Sequence, residues 1–66
     1  MGVVKVIEIM AKSDKSWEDA TSIGVAKAAE SIKNIKSAWV QDQSVTVDDG
    51  EVTEYRVTLK ISFGVK

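Results

Sequence analysis

The chain has 66 residues, with 9 basic and 10 acidic side chains and neither cysteine nor histidine. Its length predicts one domain over residues 1–66 with a small core that partner subunits help to stabilise. The composition excludes disulfides, argues against zinc, copper and haem sites, and disfavours nucleic-acid binding. Short apolar runs and the lack of a signal-peptide pattern predict a cytoplasmic protein without a membrane partner.

The first half of the chain predicts a strand followed by a helix. The run "VVKVIEIM", residues 3–10, is rich in the branched residues that favour strands. A helix start is then indicated at Ser13 or at Ser16, and Ser16 with Asp19 resembles a capping box. From Trp17 to Ile35, apolar residues recur at helical spacing and predict one amphipathic helix of roughly five turns. Gly24, in its middle, indicates close approach of this helix to a sheet.

The second half predicts a β-hairpin. Asp49-Gly50 lies between two alternating runs in "VTVDDGEVTEYRVTLKISF", and this dipeptide favours a two-residue turn with positive φ at both positions. Such a turn fixes the strand register, so that the residue numbers of each opposing pair sum to the same value. The predicted pairs are Val47 with Val52, Ser44 with Tyr55, Gln43 with Arg56, Gln41 with Thr58, Trp39 with Lys60, Val40 with Leu59 and Ala38 with Ile61.

This register divides the hairpin into two faces. Val57, Leu59, Ile61 and Phe63 share the face that the helix must cover. Trp39 then lies on the opposite, polar face with Gln41, Gln43 and Arg56. A three-residue turn or a bulge would shift the register by one residue and move Trp39 into the core, and Asp42 facing the core is a sign of some irregularity.

These elements predict an α+β fold of β-α-β-β order, in which a three-stranded antiparallel sheet wraps around one amphipathic helix. In a monomer of this size the first strand would be poorly covered, so self-association is expected.

Several segments resemble the dodecins over nearly the whole chain. They are "KVIEI" near the start, "SWEDA" at the helix start, "IKNIKSAWV" and "DDGEVTEYRVTLKISF". The resemblance implies a hollow homododecamer, and many members bind flavins. It therefore implies a storage or sequestration protein for riboflavin or flavin mononucleotide (FMN).

The flavin-binding pattern has a Trp just after the helix and a Gln after the Tyr of the last strand. These positions fall on Ser37 and Arg56 in this chain. Trp39 lies two residues further, on the same strand face, and is the candidate stacking platform. Gln41 and Gln43 offer donors and acceptors to the ring edge, and Arg56 can stack on the ring or pair with a phosphate. The ligand-binding set is thus Ser37, Trp39, Gln41, Gln43 and Arg56.

A second dodecin branch lacks the stacking Trp and has been described as calcium-binding. The present chain resembles it in "EYR" and in Ser37. No acidic spacing matches a twelve-residue calcium loop, but subunit symmetry can assemble a weak divalent cation site from one carboxylate per chain. The alternative function is a structural or calcium-binding assembly without a flavin site. With neither histidine nor cysteine and no phosphate loop, the chain is not expected to be an enzyme.

Overall fold

A computed structural model of the protein describes residues 2–65. Three strands form one antiparallel sheet with β3 in the centre, in the order β1-β3-β2, and one helix packs on one face. The predicted α+β fold of β-α-β-β order is therefore confirmed. The elements are β1 (Val3–Ser13), α1 (Trp17–Ala29), β2 (Ile35–Asp48) and β3 (Glu51–Val65).

The core lies between α1 and the central strand. Val57, Leu59 and Ile61 alternate along β3 and are at most 1% exposed, which confirms the predicted helix-side face of this strand. β1 supplies Ile7, Ile9 and Ala11 to the same core. The predicted first strand is confirmed and continues to Ser13, whose hydroxyl donates to Asp19 Oδ2 at 2.6 Å.

The helix begins at the second of the two predicted start positions. Ser16 is the N-cap, and its Oγ accepts a hydrogen bond from the Asp19 backbone N–H at 2.9 Å. This bond satisfies one of the four amide groups that lack a partner within the first helical turn. The carboxylates of Glu18 and Asp19 lie in the same turn, where they favourably meet the positive end of the helix dipole.

The predicted helix length is wrong, because α1 ends at Ala29 and not near Ile35. Turn residues Glu30 and Ser31 follow the helix, and Asn34, directly before β2, has a left-handed conformation with φ of 66°. Its carbonyl accepts a hydrogen bond from the Gly64 N–H at 3.0 Å, and this bond leads the chain into β2 beside β3. Ile32 and Ile35 still pack against the core, so the apolar spacing was real but belongs to a connection and a strand.

The helix approaches the sheet through small residues. Ala20, Gly24 and Ala28 recur every fourth residue and are buried. A Cβ placed on Gly24 would lie 2.7 Å from Leu59 Cδ1 and 3.0 Å from Ala11 Cβ, which confirms the predicted close approach. The helix contacts β1 and β3 more than β2, so β2 keeps most of its residues exposed.

The start of the helix is attached to the hairpin by Trp17. Its Nε1–H donates to the Ser44 carbonyl at 3.0 Å, and its ring meets the Tyr55 ring edge to face at a centroid distance of 5.2 Å. The indole is therefore committed to internal packing. No helix within residues 2–65 has the length and apolar character needed to cross a membrane.

The hairpin turn has the predicted form. Asp49 and Gly50 both have positive φ, 52° and 78°, as a two-residue turn of this type requires. β1 ends opposite Tyr55, so the hairpin continues beyond the rest of the sheet. We call residues 45–54 the hairpin arm. They are the end of β2, from the residue opposite Tyr55 to the turn, and the start of β3, from the turn to the residue before Tyr55.

Candidate functional site

The candidate site lies on the sheet face opposite α1, which we call the outer face. The residues of β3 that alternate with the core side chains point to this face: Arg56, Thr58, Lys60 and Ser62. Their antiparallel partners from β1 are Lys12, Met10, Glu8 and Val6. The outer face is therefore a mixed surface with charges of both signs and exposed apolar side chains.

Trp39 lies on the outer face, as predicted. It is paired with Lys60, which points away from the core because its neighbours on β3 are buried there. The exposed fraction of Trp39 is 46%. An indole this exposed contributes little to the core of its own chain, so Trp39 is available to a ligand or to another subunit.

A bulge in β2 follows Trp39 and corrects the predicted register. Val40 is opposite Leu59, but the next paired residue of β2 is Asp42, which lies opposite Thr58. Gln41 is the extra residue of this bulge and has no partner across the ladder. The predicted Gln41–Thr58 pair is therefore wrong, and a carboxylate takes the place of that amide on the outer face.

The bulge also changes the face of the following residues. Gln43 is opposite Val57 and Ser44 opposite Arg56, so the predicted pairs Gln43–Arg56 and Ser44–Tyr55 are wrong. Gln43 shares the face of the core residues and not that of Trp39. A second irregularity between Thr46 and Val47 restores the predicted pair Val47–Val52 beside the turn. Together the two bulges place Asp42 on the outer face and Gln43 on the helix-side face.

Ser37 lies near Trp39 and is already engaged within the chain. It pairs with Ser62, and the two hydroxyl oxygens are 2.6 Å apart. The pairing irregularity between Ile35 and Ser37 sets this register. Because the hydroxyl already has a partner, Ser37 offers a ligand mainly its small size.

Arg56 is the cation in the middle of the outer face. Its Nη2 donates to Met10 Sδ at 2.8 Å, and its Nε is buried and has no hydrogen-bond partner among residues 2–65. The neighbouring Lys12 pairs with Glu54 at 3.4 Å. Among residues 2–65 no carboxylate forms an ion pair with Arg56, so its charge remains available to an anionic group from outside the chain.

The outer face thus combines an indole, a carboxylate and a guanidinium. The ungapped register missed the carboxylate of Asp42 on this face, and its predicted position facing the core was the sequence signal that pointed to a bulge. Within residues 2–65 no group of three acidic side chains could hold a metal ion. A metal site with enough ligands would therefore need carboxylates from more than one subunit.

The chain matches known proteins over almost its full length. The Dodecin family model matches residues 3–66. The calcium dodecin of Mycobacterium tuberculosis (strain ATCC 25618 / H37Rv) is 38% identical over 66 residues, which cover 100% of this chain and 93% of that protein.

Solved structures give the same result for the fold. A mutant of the T. thermophilus dodecin superposes with a TM-score of 0.94 at 24% identity, covering 100% of this chain and 98% of the other. The crystal structure of the M. tuberculosis calcium dodecin, described as having a novel calcium-binding site, superposes with a TM-score of 0.85 at 38% identity, covering 97% and 91%. By its family model, its sequence and its fold, the chain belongs to the dodecin family.

Proposed function

We propose that this protein is a homo-oligomeric dodecin, with twelve subunits as in the family's name, that binds calcium at sites shared between subunits. The observation that carries the proposal is the bulge at Gln41, which brings the carboxylate of Asp42 to the outer face beside Thr58. The 38% identity with a calcium dodecin over the whole chain supports the same ion. Calcium prefers carboxylate and carbonyl oxygens, and it takes six to eight of them.

The small number of carboxylates in one chain is the reason for a shared site. Asp42 is exposed and has no salt bridge within residues 2–65. Symmetry-related copies of Asp42, with water and the amide oxygen of the adjacent Gln41, would supply further oxygen ligands. Such a site exists only in the assembly, so calcium binding and subunit association stabilise each other.

Thermal unfolding with calcium and with a chelator tests the proposal. A ligand that binds only the folded assembly stabilises it by about 2.7 kcal/mol at about 100 times its Kd. We expect the melting temperature to rise with calcium, to fall on chelation and to respond less to magnesium. A melting temperature that is indifferent to both additions contradicts calcium binding.

Replacing Asp42 by asparagine tests the assigned ligand. Asp42→Asn keeps the shape of the side chain and removes its charge, so we expect calcium affinity measured by titration calorimetry to fall by at least about tenfold, the smallest loss typical of a residue that only orients a ligand. Asp49→Asn is the matched control, because asparagine tolerates the left-handed conformation of the turn. Equal calcium affinity in the two variants would show that Asp42 is not a ligand.

A second candidate function is flavin storage, and the exposure of Trp39 on the outer face favours it. A planar isoalloxazine ring held between indoles of two subunits gains about 1 kcal/mol per aromatic pair beyond the apolar area that it buries. Arg56 is available on the same face to pair with a phosphate of FMN. Ser37 and Arg56 occupy the two positions where the flavin pattern has Trp and Gln.

Fluorescence titration decides this second candidate. Flavin storage predicts that the protein quenches riboflavin or FMN emission, that Trp39→Ala abolishes the quench and that Trp17→Phe retains it. Trp17 is the control because its indole N–H donates a hydrogen bond to the Ser44 carbonyl of the same chain. Absence of quenching by the unmodified protein at micromolar concentration would leave calcium binding without a flavin site.

A further inference from the structure

The hairpin arm carries apolar side chains that its own chain leaves uncovered. Beyond the Ser13–Tyr55 pair it consists of two strands alone, and the molecule measures 51 Å along its longest axis. Val47 and Val52 are 61% and 50% exposed, and Val45 is 36% exposed. An isolated two-stranded ribbon is marginally stable in water, so the arm needs a surface to pack against.

The two faces of the arm differ in character. Val47 pairs with Val52, and Val45 lies two residues before Val47, so the three valines share one face. On the other face Thr46 and Thr53 bring their hydroxyl oxygens to within 2.6 Å. The contact surface of the arm is therefore its valine face, formed by Val45, Val47 and Val52.

A groove of matching character lies between α1 and β1. It has a volume of about 690 Å³ and is lined mainly by apolar side chains. Both faces of β1 contribute to it, since Ile9 lies on the helix side and Met10 on the outer face. The groove thus opens at the outer edge of β1, where no other strand of the described part of the chain pairs with it. Ile23, 47% exposed, forms part of the helix wall.

The charges of the arm and the groove are complementary. The arm carries four acidic residues and no basic one; they are Asp48, Asp49, Glu51 and Glu54. The charged residues that line the groove are Lys12, Lys27 and Glu30, so its net charge is positive. The partners of the two lysines within the chain are the exposed or partly exposed Glu54 and Glu30, and exposed pairs of this kind contribute little, so both lysines can accept acidic groups from another copy.

We propose that the hairpin arm of one copy docks its valine face into the groove between α1 and β1 of a second copy. The arm lies beyond the Trp17 end of the helix, whereas the groove follows the helix from Ile23 to Ser31, so a chain cannot fill its own groove. Two different surfaces meet in this contact, so it can be repeated head to tail between copies, and a suitable rotation between copies closes the repeat into a ring. The inference rests on the homo-oligomer of the proposed function.

Disulfide cross-linking tests the contact directly, because the chain has no cysteine of its own. A double variant, Val47→Cys with Ile23→Cys, is purified and oxidised, and covalent oligomers are counted on a non-reducing gel. Thr46→Cys with Ile23→Cys is the control, since Thr46 points to the opposite face of the arm. We expect at least about tenfold more cross-linked chain from the first variant, because docking holds its thiols at high effective concentration.

The outcomes separate this inference from the proposed function. Equal cross-linking of the two variants, or none, in a protein that light scattering finds oligomeric overturns the arm contact and leaves the oligomer intact. A monomeric unmodified protein overturns both. If the cysteine variant is monomeric but the unmodified protein is oligomeric, charge-reversed variants test the contact instead. Glu51→Lys should reduce assembly, and adding Lys27→Glu to it should restore assembly. Failure of that restoration overturns the contact.

Discussion

Replacing Leu59 by alanine is expected to destabilise the fold strongly. Leu59 is 0% exposed, lies on the central strand and contacts the helix at Gly24. Leu→Ala changes in a core cost about 2–5 kcal/mol, and a domain of this size has only a few kcal/mol of stability from its own core. Circular dichroism during urea unfolding should therefore find the Leu59→Ala chain largely unfolded near room temperature.

Val3→Ala provides the matched control for Leu59→Ala. It also shortens a strand residue to alanine, but Val3 is 64% exposed, and surface substitutions usually change stability by less than about 0.5 kcal/mol. A loss below about 1 kcal/mol for Leu59→Ala would mean that the core does not lie between β3 and α1 as described.

Enlarging Gly24 is the second change with a large expected effect. A Cβ alone would lie 3.0 Å from Ala11 Cβ and 2.7 Å from Leu59 Cδ1, and both neighbours are buried. Gly24→Leu therefore forces the helix away from the sheet. Leucine is the better helix former by nearly 1 kcal/mol, but overpacking costs about 1–3 kcal/mol and sometimes more. We expect a net loss of stability in thermal or urea unfolding.

Ser22→Leu places the same side chain on an exposed position of the same helix. We expect it to change stability by no more than about 0.5 kcal/mol. If Gly24→Leu were as stable as Ser22→Leu, the close approach of α1 to the sheet would be refuted.

The strands and the turn were predictable because their signals are local. Alternation of apolar residues identified the helix-side face of β3, and Asp49-Gly50 identified the turn. The helix end was not predictable from periodicity, because Ile32 and Ile35 continue the helical spacing while packing on the core from a connection and a strand. Asn34, the residue in left-handed conformation directly before β2, was the available local signal that the helix does not continue to Ile35.

The site was predictable at Trp39 and not beyond it. Trp39 keeps its predicted partner because the strand register at Val40 is the one that the two-residue turn predicts. Between these points two bulges shift the pairing and then restore it, so Gln43 and Asp42 exchange faces. Because the second bulge cancels the shift of the first, counting residue pairs from the turn does not reveal that the pairs between the two bulges are shifted. The one sequence signal of a bulge was the predicted position of Asp42 on the core face.

Native mass spectrometry of the intact protein, with and without calcium, tests the central claim most directly. We predict a closed homo-oligomer whose mass increases by whole calcium ions, and Asp42→Asn should give the same oligomer without those increments. A monomer, or an oligomer whose mass does not change with calcium, would contradict a calcium-binding dodecin assembly.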